Sequence, residues 1–148
     1  CYCINAMRLY TGEEPTDSAA YANIGAQSGV DETLAGVLRF PSGVLGHFDC
    51  GLRSQHCHMV EIRGDKGRIL IEESFVMPPD RATKIRVWRN IAPAADAYEE
   101  ITIPPFNSYT LMIEDFADAL VNQRPPRFDA QDGVHNMRVI DHLLASLK

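Results

Sequence analysis

Residues 33–52, TLAGVLRFPSGVLGHFDCGL, predict the architecture of the chain. Two apolar-rich runs, 33–40 and 44–52, have the length of β-strands and are joined only by Pro41, Ser42 and Gly43. The fixed φ of proline and the permissive backbone of glycine suit a tight turn, so the runs are predicted to form an antiparallel hairpin.

Similar runs recur on both sides of this hairpin. Residues 59–63 and 68–71 flank Gly64 to Gly67, which predicts a second hairpin of the same kind. Because this Gly-x-x-Gly joins two strands in an acidic chain, we interpret it as a turn and not as an RNA-binding loop. The remaining strand candidates are residues 16–26, which form the weakest one, 84–88 and 99–103. We therefore expect five or six antiparallel strands.

Three helices complete the pattern. The first runs from residue 1 to Gly12, a suitable residue for ending a helix. The other two have apolar side chains at helical spacing, and Asp129 is the predicted N-cap of the last one. The predicted buried stripes are Tyr109, Met112, Ile113, Phe116 and Leu120 in one helix, and Val134, Met137, Ile140, Leu144 and Leu147 in the other.

Strands and helices in this order predict an α+β fold. We expect a mostly antiparallel, open-faced sheet with the helices packed on one face, and an uncovered face that meets a partner or subunit. The 148 residues, 45% of them hydrophobic, suit one domain over 1–148. Fourteen Lys plus Arg against 20 Asp plus Glu give a net charge of −6, which argues against nucleic acid as a partner. No run approaches the ~18 apolar residues of a membrane span.

The first helix lacks the Ser, Thr, Asp or Asn that usually begins a helix, and the chain starts with Cys1. We expect that the helix is truncated and begins upstream. A mature secreted chain after signal cleavage is the alternative. The cysteines at 1, 3, 50 and 57 support it only weakly, since their spacing does not match a disulfide framework.

Several chemical motifs are missing. The sequence has no Gly-x-Gly-x-x-Gly, Walker A, Gly-x-Ser-x-Gly or His-Glu-x-x-His pattern, so we predict no cofactor-binding residues in this chain. In a strand His56 and His58 face one side and Cys57 the other, and we therefore predict no metal site. His135, Arg138 and His142 share a polar helix face that either meets a ligand or is simply solvated.

Seven segments occur in an order typical of one enzyme family. They are residues 1–15, 30–33, 38–43, 47–50, 60–67, 109–116 and 137–141. Together they resemble the C-terminal domain of the Gfo/Idh/MocA family of NAD(P)-dependent oxidoreductases. In that family an N-terminal Rossmann domain binds NAD or NADP, while the C-terminal domain lines the substrate site and uses its open sheet for oligomerisation. The resemblance implies a domain of this kind, separated from its Rossmann domain.

The same resemblance implies that Tyr2 is the catalytic residue, because it falls on the last position of the family's Asp-x-Gly-x-His or Asp-x-Gly-x-Tyr motif. A phenol works as an acid or base near neutrality when a positive charge stabilises its phenolate. The family supplies that charge from a Rossmann-domain lysine. Since neither this lysine nor the motif's Asp is in the chain, we expect the chain alone to be inactive.

The tyrosine variant resembles the branch that contains glucose–fructose oxidoreductase, dimeric dihydrodiol dehydrogenase and xylose dehydrogenase, which implies a sugar or related polyhydroxy substrate. Asn5, one turn after Tyr2, would orient a substrate hydroxyl, or is a surface residue. Phe75, Phe106 and Tyr109 resemble pocket-lining residues, with core packing as the alternative. Arg53 would face the substrate, or is an exposed residue at a sheet edge.

Two functions follow from this reading. The first is the substrate-binding and oligomerisation domain of a cytoplasmic, sugar-type NAD(P) oxidoreductase that acts as a homo-oligomer. The second is a non-catalytic module that uses the same fold only for assembly.

Overall fold

A computed structural model describes residues 1–89 and 97–147. They form two compact units. Unit 1 contains residues 1–55 and the described residues from 128 onward, and unit 2 contains His56–Arg127. In chain order the elements are α1 (Tyr2–Thr11), β1 (Asp17–Ile24), β2 (Asp31–Arg39), β3 (Leu45–Gly51), β4 (Val60–Gly64), β5 (Gly67–Ile71), β6 (Thr83–Trp88), β7 (Glu99–Ile103), α2 (Ser108–Val121) and α3 (Ala130–Ala145).

The predicted hairpin forms the centre of unit 1. β2 pairs antiparallel with both β1 and β3, so the sheet order is β1-β2-β3. At the turn the Phe40 N–H donates to the Val44 carbonyl at 3.0 Å. Gly43 adopts φ 86°, a left-handed conformation that favours glycine. The weakest strand candidate is also confirmed, as β1.

The core of unit 1 lies between this sheet and helices α1 and α3. Burial alternates along β2, so Leu34 and Leu38 face the core while their neighbours are exposed. The buried cluster contains Ile4, Ala20, Leu34, Leu38, Phe40, Val139 and Leu143. Burying each large side chain of this kind contributes about 1.5–3 kcal/mol. The cluster therefore fastens both helices to one sheet face.

The buried face of α3 differs from the predicted one. Ile140 and Leu147 pack against the core as expected, but Val134, Met137 and Leu144 are exposed. Asn136, Val139 and Leu143 are buried instead. Each lies one position before a residue of the predicted stripe. Asn136 is buried because it forms hydrogen bonds to α1, and a search for apolar periodicity does not detect a polar residue on the buried face.

Unit 2 contains an antiparallel sheet in the order β4-β5-β6-β7. The predicted hairpin forms here, with Gly64 paired to Gly67. Gly67 has φ 146°, and a Cβ there would lie 1.9 Å from the Trp88 carbonyl oxygen, so the position requires glycine.

The pairing register gives the unit 2 sheet one apolar and one charged face. The apolar face contains Val60, Ile62, Ile69, Ile71, Ile85, Val87, Ile101 and Ile103. On the other face Arg68 lies over the Trp88 ring, 4.1 Å from its centroid, and forms an ion pair with Glu61 at 2.8 Å. The strand side chains are only half-buried or exposed, apart from Thr83. The apolar face therefore remains partly open to solvent.

Helix α2 begins at the Asn107 cap, whose side chain accepts the Tyr109 and Thr110 N–H groups at 3.0 and 3.3 Å. Its predicted stripe is exposed rather than packed on a sheet, which contradicts our expectation: Tyr109, Met112, Ile113, Phe116 and Leu120 all lie open, and Ala119 is the buried residue. Helical periodicity identifies an apolar face without identifying what covers it.

The α+β class and the antiparallel pairing are confirmed. Within the described ranges there are seven strands, divided between two sheets, instead of five or six in one. No helix in the described part of the chain has the length and apolar character to span a bilayer.

Candidate functional site

A polar cluster of unit 1 joins α1 to α3 around Arg8. This arginine is buried, with only 5% of its side chain exposed. Its guanidinium donates to both Glu14 carboxylate oxygens, at 2.7 and 2.8 Å, and bonds Asp132 Oδ1 at 3.0 Å. It also donates to the Asp132 carbonyl at 3.3 Å and to Asn136 Oδ1 at 3.5 Å. A buried charge requires such partners, because its desolvation is otherwise uncompensated.

The pKa shifts in this cluster maintain the ion pair. The hydrogen bond from Arg8 lowers the pKa of Glu14, against the opposing effect of burial. The same bond raises the pKa of Arg8, with further support from the charges of Glu14 and Asp132. Both groups are therefore charged at neutral pH.

Tyr2 and Asn5 occupy successive turns at the start of α1. Tyr2 is 62% exposed. The Asn5 amide donates to Asp132 Oδ2 at 3.1 Å and is half-buried. Asn5, Arg8, Phe128 and Asp132 line a groove of about 230 Å³ together with residues near the end of α1. The structure thus brings these two predicted site residues together on one helix.

The backbone at the start of α1 is held by α3. Cys1 provides no side-chain cap. Its carbonyl accepts the Asn5 N–H at 2.9 Å and the Asn136 side-chain amide at 3.3 Å. The first turn, which carries Tyr2, is therefore tied to the last helix of the chain.

Arg53 lies just after β3 and is largely exposed. Its guanidinium pairs with Glu32 Oε2 at 3.2 Å. The backbone N–H of Leu52, the residue between β3 and Arg53, donates to the Glu32 carbonyl at 2.9 Å. The exposed Arg53 side chain can contact a ligand at this end of the sheet, or its role is limited to the ion pair with Glu32.

The three aromatic candidates belong to unit 2. Phe75 is half-buried beside His58, with ring centroids 6.5 Å apart. Phe106 is half-buried directly before α2, and Tyr109 is exposed in its first turn. Phe106 and Tyr109 are thus neighbours at one helix end, while Phe75 lies on a separate loop.

Sequence reasoning missed Arg8, Glu14, Asp132 and Asn136. One signal was present: Arg8 follows Ile4 by four residues, so a charge sits on the same helix face as an apolar residue. Asp132 and Asn136 have the same spacing on α3, which matches a pair of facing polar positions.

The polar face of α3 borders a second groove, of about 360 Å³, between α3 and the start of β1. His135 Nδ1 lies 3.4 Å from Glu14 Oε1, and His142 Nδ1 lies 2.9 Å from Ser18 Oγ. Arg138 also lines it. Two members of the predicted stripe are therefore engaged with neighbouring elements and are not simply solvated.

No three potential metal ligands come together within residues 1–89 and 97–147. All four cysteines are free thiols. Burial raises the pKa of the Cys3 and Cys50 thiols, so they remain protonated at neutral pH.

Backbone N–H groups at helix N-termini are the groups that bind a dinucleotide pyrophosphate. The first amides of α2 and α3 are occupied by the Asn107 and Asp129 side chains, and Asp129 adds a negative charge. A dinucleotide pyrophosphate needs such amides free. These amides of α2 and α3 are therefore not free for a pyrophosphate.

Comparison with known proteins identifies the fold. Residues 1–70 match the family model of the GFO/IDH/MocA C-terminal domain. D-xylose 1-dehydrogenase (NADP(+)) 2 from Haloferax volcanii is 26% identical over 148 residues, which are 99% of this chain and 43% of that protein. Trans-1,2-dihydrobenzene-1,2-diol dehydrogenase from Sus scrofa is 28% identical over 83 residues, 56% of this chain and 25% of that protein.

Solved structures agree. KijD10, a 3-ketoreductase from Actinomadura kijaniata crystallised with NADP, superposes with a TM-score of 0.86 at 20% identity, over 99% of this chain and 45% of that one. Aldose-aldose oxidoreductase from Caulobacter crescentus gives 0.82 at 23% identity, over 98% and 42%. The chain thus spans less than half the length of these matches.

Proposed function

We propose that this chain, whose residues 1–70 match the GFO/IDH/MocA C-terminal domain model and whose fold matches that of KijD10, is the substrate-binding domain of an NAD(P)-dependent sugar oxidoreductase. The observation that carries the proposal is the match to an NADP-dependent xylose dehydrogenase over 99% of the chain, with Tyr2 exposed in the first turn of α1. In this proposal the cofactor is bound by a separate Rossmann domain, as the resemblance to the family implies.

Tyr2 is the proton-transfer residue of this proposal. Its exposure leaves the phenol accessible to a substrate hydroxyl. In the oxidative direction the Tyr2 phenolate would accept the hydroxyl proton, and a nicotinamide held by the other domain would supply hydride-accepting chemistry. A lysine of that domain stabilises the phenolate.

The remaining candidates bind substrate. Asn5 shares its amide between Asp132 and a sugar hydroxyl, and Arg53 presents a second hydrogen-bond donor at the end of β3. Phe75, Phe106 and Tyr109 supply flat apolar surface for the carbon–hydrogen side of the sugar ring. These roles are proposals for the assembled enzyme.

Contact with the Rossmann domain and homo-oligomerisation are supported by surface that unit 2 leaves open. The α2 stripe is exposed, and the apolar sheet face is only partly covered. Apolar patches of this extent are typical of surfaces that meet another protein surface. Free thiols at all four cysteines favour a cytoplasmic location.

The test uses the full-length protein with D-xylose and NADP⁺ as probes. The wild type should reduce NADP⁺, the 148-residue chain alone should not, and Tyr2→Phe should lower kcat by about 10²–10⁴. Tyr21→Phe is the matched control, because Tyr21 is equally exposed, at 66%, and lies on β1. A Tyr2→Phe enzyme with wild-type kcat would refute the role of Tyr2.

The exposed apolar surface of unit 2 also supports a second candidate, a non-catalytic assembly module. This alternative predicts a defined oligomer whose melting temperature is unchanged by NADP⁺ or sugar. A nicotinamide-dependent rise in the melting temperature of the full-length protein would exclude it.

A further inference from the structure

The Arg8 cluster connects to the first turn of α1 through two residues of α3. Asp132 bonds Arg8 at 3.0 Å and accepts the Asn5 amide at 3.1 Å. Asn136 accepts from Arg8 at 3.5 Å and donates to the Cys1 carbonyl at 3.3 Å. Each residue therefore links the buried guanidinium to a different part of the turn that carries Tyr2.

Ile4 anchors this turn in the unit 1 core, and the links to α3 add a second anchor beside it. Its N-cap residue provides no side-chain hydrogen bond, and uncapped helix ends fray. Tyr2 itself is mostly exposed. The contacts to Cys1 and Asn5 hold the backbone on both sides of Tyr2.

We propose that Arg8 is a positioning residue, which sets the orientation of the first turn of α1, and hence of Tyr2, through Asp132 and Asn136. This inference rests on the proposed proton-transfer function of Tyr2. Arg8 does not touch the reacting atoms; it acts through two α3 side chains.

The geometry requires arginine at this position. One side of the guanidinium meets the two oxygens of Glu14, and the same group reaches Asp132 and Asn136. A lysine ammonium is a single point of charge and cannot hold a bidentate carboxylate and the α3 residues in the same planar arrangement. Arg8→Lys therefore keeps the charge and loses the positioning.

The experiment measures steady-state kinetics of the full-length enzyme with D-xylose and NADP⁺. Arg8→Lys and Asp132→Asn should each lower kcat by about 10- to 100-fold, with the KM for NADP⁺ unchanged. Arg81→Lys is the matched control, because Arg81 also forms a bidentate pair with a glutamate, Glu73, but is exposed in unit 2. It should keep wild-type kcat.

A double-mutant comparison separates positioning from a general structural effect. If Asp132 acts through Tyr2, Asp132→Asn should cause no further loss of kcat in a Tyr2→Phe enzyme. A further loss of tenfold or so in that background, or wild-type kcat in both Arg8→Lys and Asp132→Asn, overturns the proposal.

Hydrogen exchange tests the structural link without relying on activity, and it also applies if Arg8→Lys fails to fold. The backbone N–H of Asn5, which donates to the Cys1 carbonyl, should exchange faster in Asn136→Ala than in the wild type. Unchanged exchange contradicts the link. If Tyr2→Phe retains full activity, the proposed function of Tyr2 fails. Faster exchange of the Asn5 backbone N–H would then still support the link between α3 and the first turn of α1.

Discussion

Unit 1 and unit 2 bury their side chains very differently. Unit 1 places a seven-residue apolar cluster between three strands and two helices. In the described part of unit 2, Ala119 and Thr83 are the buried residues, and the other strand residues are half-buried or exposed. Unit 1 therefore holds itself together by its own core, whereas unit 2 relies on strand pairing and on a half-buried apolar sheet face.

The same contrast applies to their arginines. The Arg8 side chain is 5% exposed and has partners on two elements, while Arg81 is 60% exposed and pairs with one glutamate. Ion pairs in solvent contribute little, whereas removal of one member of a buried pair is strongly destabilising. The four predictions below test this contrast, in order of decreasing effect.

Phe40→Ala should have the largest effect, lowering the free energy of unfolding by about 3–5 kcal/mol, because it leaves a cavity in the unit 1 core. Ile69→Ala, on the half-covered face of unit 2, should cost about half as much. Urea denaturation of the chain can be followed by far-UV circular dichroism and by the fluorescence of the single Trp88, which reports on unit 2. Equal losses for both variants would contradict the difference between the units.

Arg8→Met should lower the free energy of unfolding by about 2–3 kcal/mol. The value lies below that of a fully buried pair, because Glu14 and Asp132 are partly exposed and water can solvate them. Arg81→Met is the control and should leave the urea midpoint unchanged. A midpoint for Arg8→Met that matches the control would show that burial of the arginine does not matter.

Glu14→Gln should weaken the dependence of stability on acidic pH. Arg8 lowers the pKa of Glu14 in the folded protein, so the ionised pair stabilises the fold above the ordinary glutamate value of about 4.3. This stabilisation is lost as the pH falls through the lowered folded pKa. The melting temperature of the wild type should therefore drop more steeply below about pH 5 than that of Glu14→Gln, by a small margin since Glu14 is half-exposed.

Glu13→Gln provides the matched control for this pH series. Glu13 precedes Glu14 and accepts hydrogen bonds from Ser42, without an arginine partner among the described contacts. Its melting curve should follow the wild type at each pH. Parallel curves for the wild type and Glu14→Gln would rule out the contribution of the Arg8 pair.

Phe116→Ser should have the smallest effect, within about 0.5 kcal/mol in the chain alone, because its ring is 56% exposed on α2. Urea denaturation measures this directly. A loss as large as that of Phe40→Ala would mean that the α2 stripe is part of a core. In the full-length protein the same substitution should be more damaging if this stripe meets another domain.

The strands and the two hairpins could be predicted because local chemistry dictates them. Pro41 and Gly43 favour a turn wherever they occur, and Gly64 and Gly67 do the same between two apolar runs. The existence of α2 and α3 followed from periodicity for the same reason.

The buried face of α3 and the cover of α2 could not be predicted, because both depend on partners distant in sequence. Asn136 is buried through bonds to Arg8 and Cys1, more than 100 residues away, and apolar counting assigns such a residue to the surface. Tyr2 and Asn5 were found only through the resemblance to a family, and their support from α3 became visible only in three dimensions.

The bond between Asn136 and the Cys1 carbonyl spans 135 positions in the sequence. Unit 1 is built from both ends of the described chain, with all of unit 2 between them. During synthesis, α1 and the first sheet emerge long before α3. Leu38 and Phe40 therefore remain partly exposed until Val139 and Leu143 of α3 pack against them. Unit 2 can pair its strands in that interval, since their contacts are local. The proposed catalytic turn can therefore become fully ordered only after α3 has emerged from the ribosome.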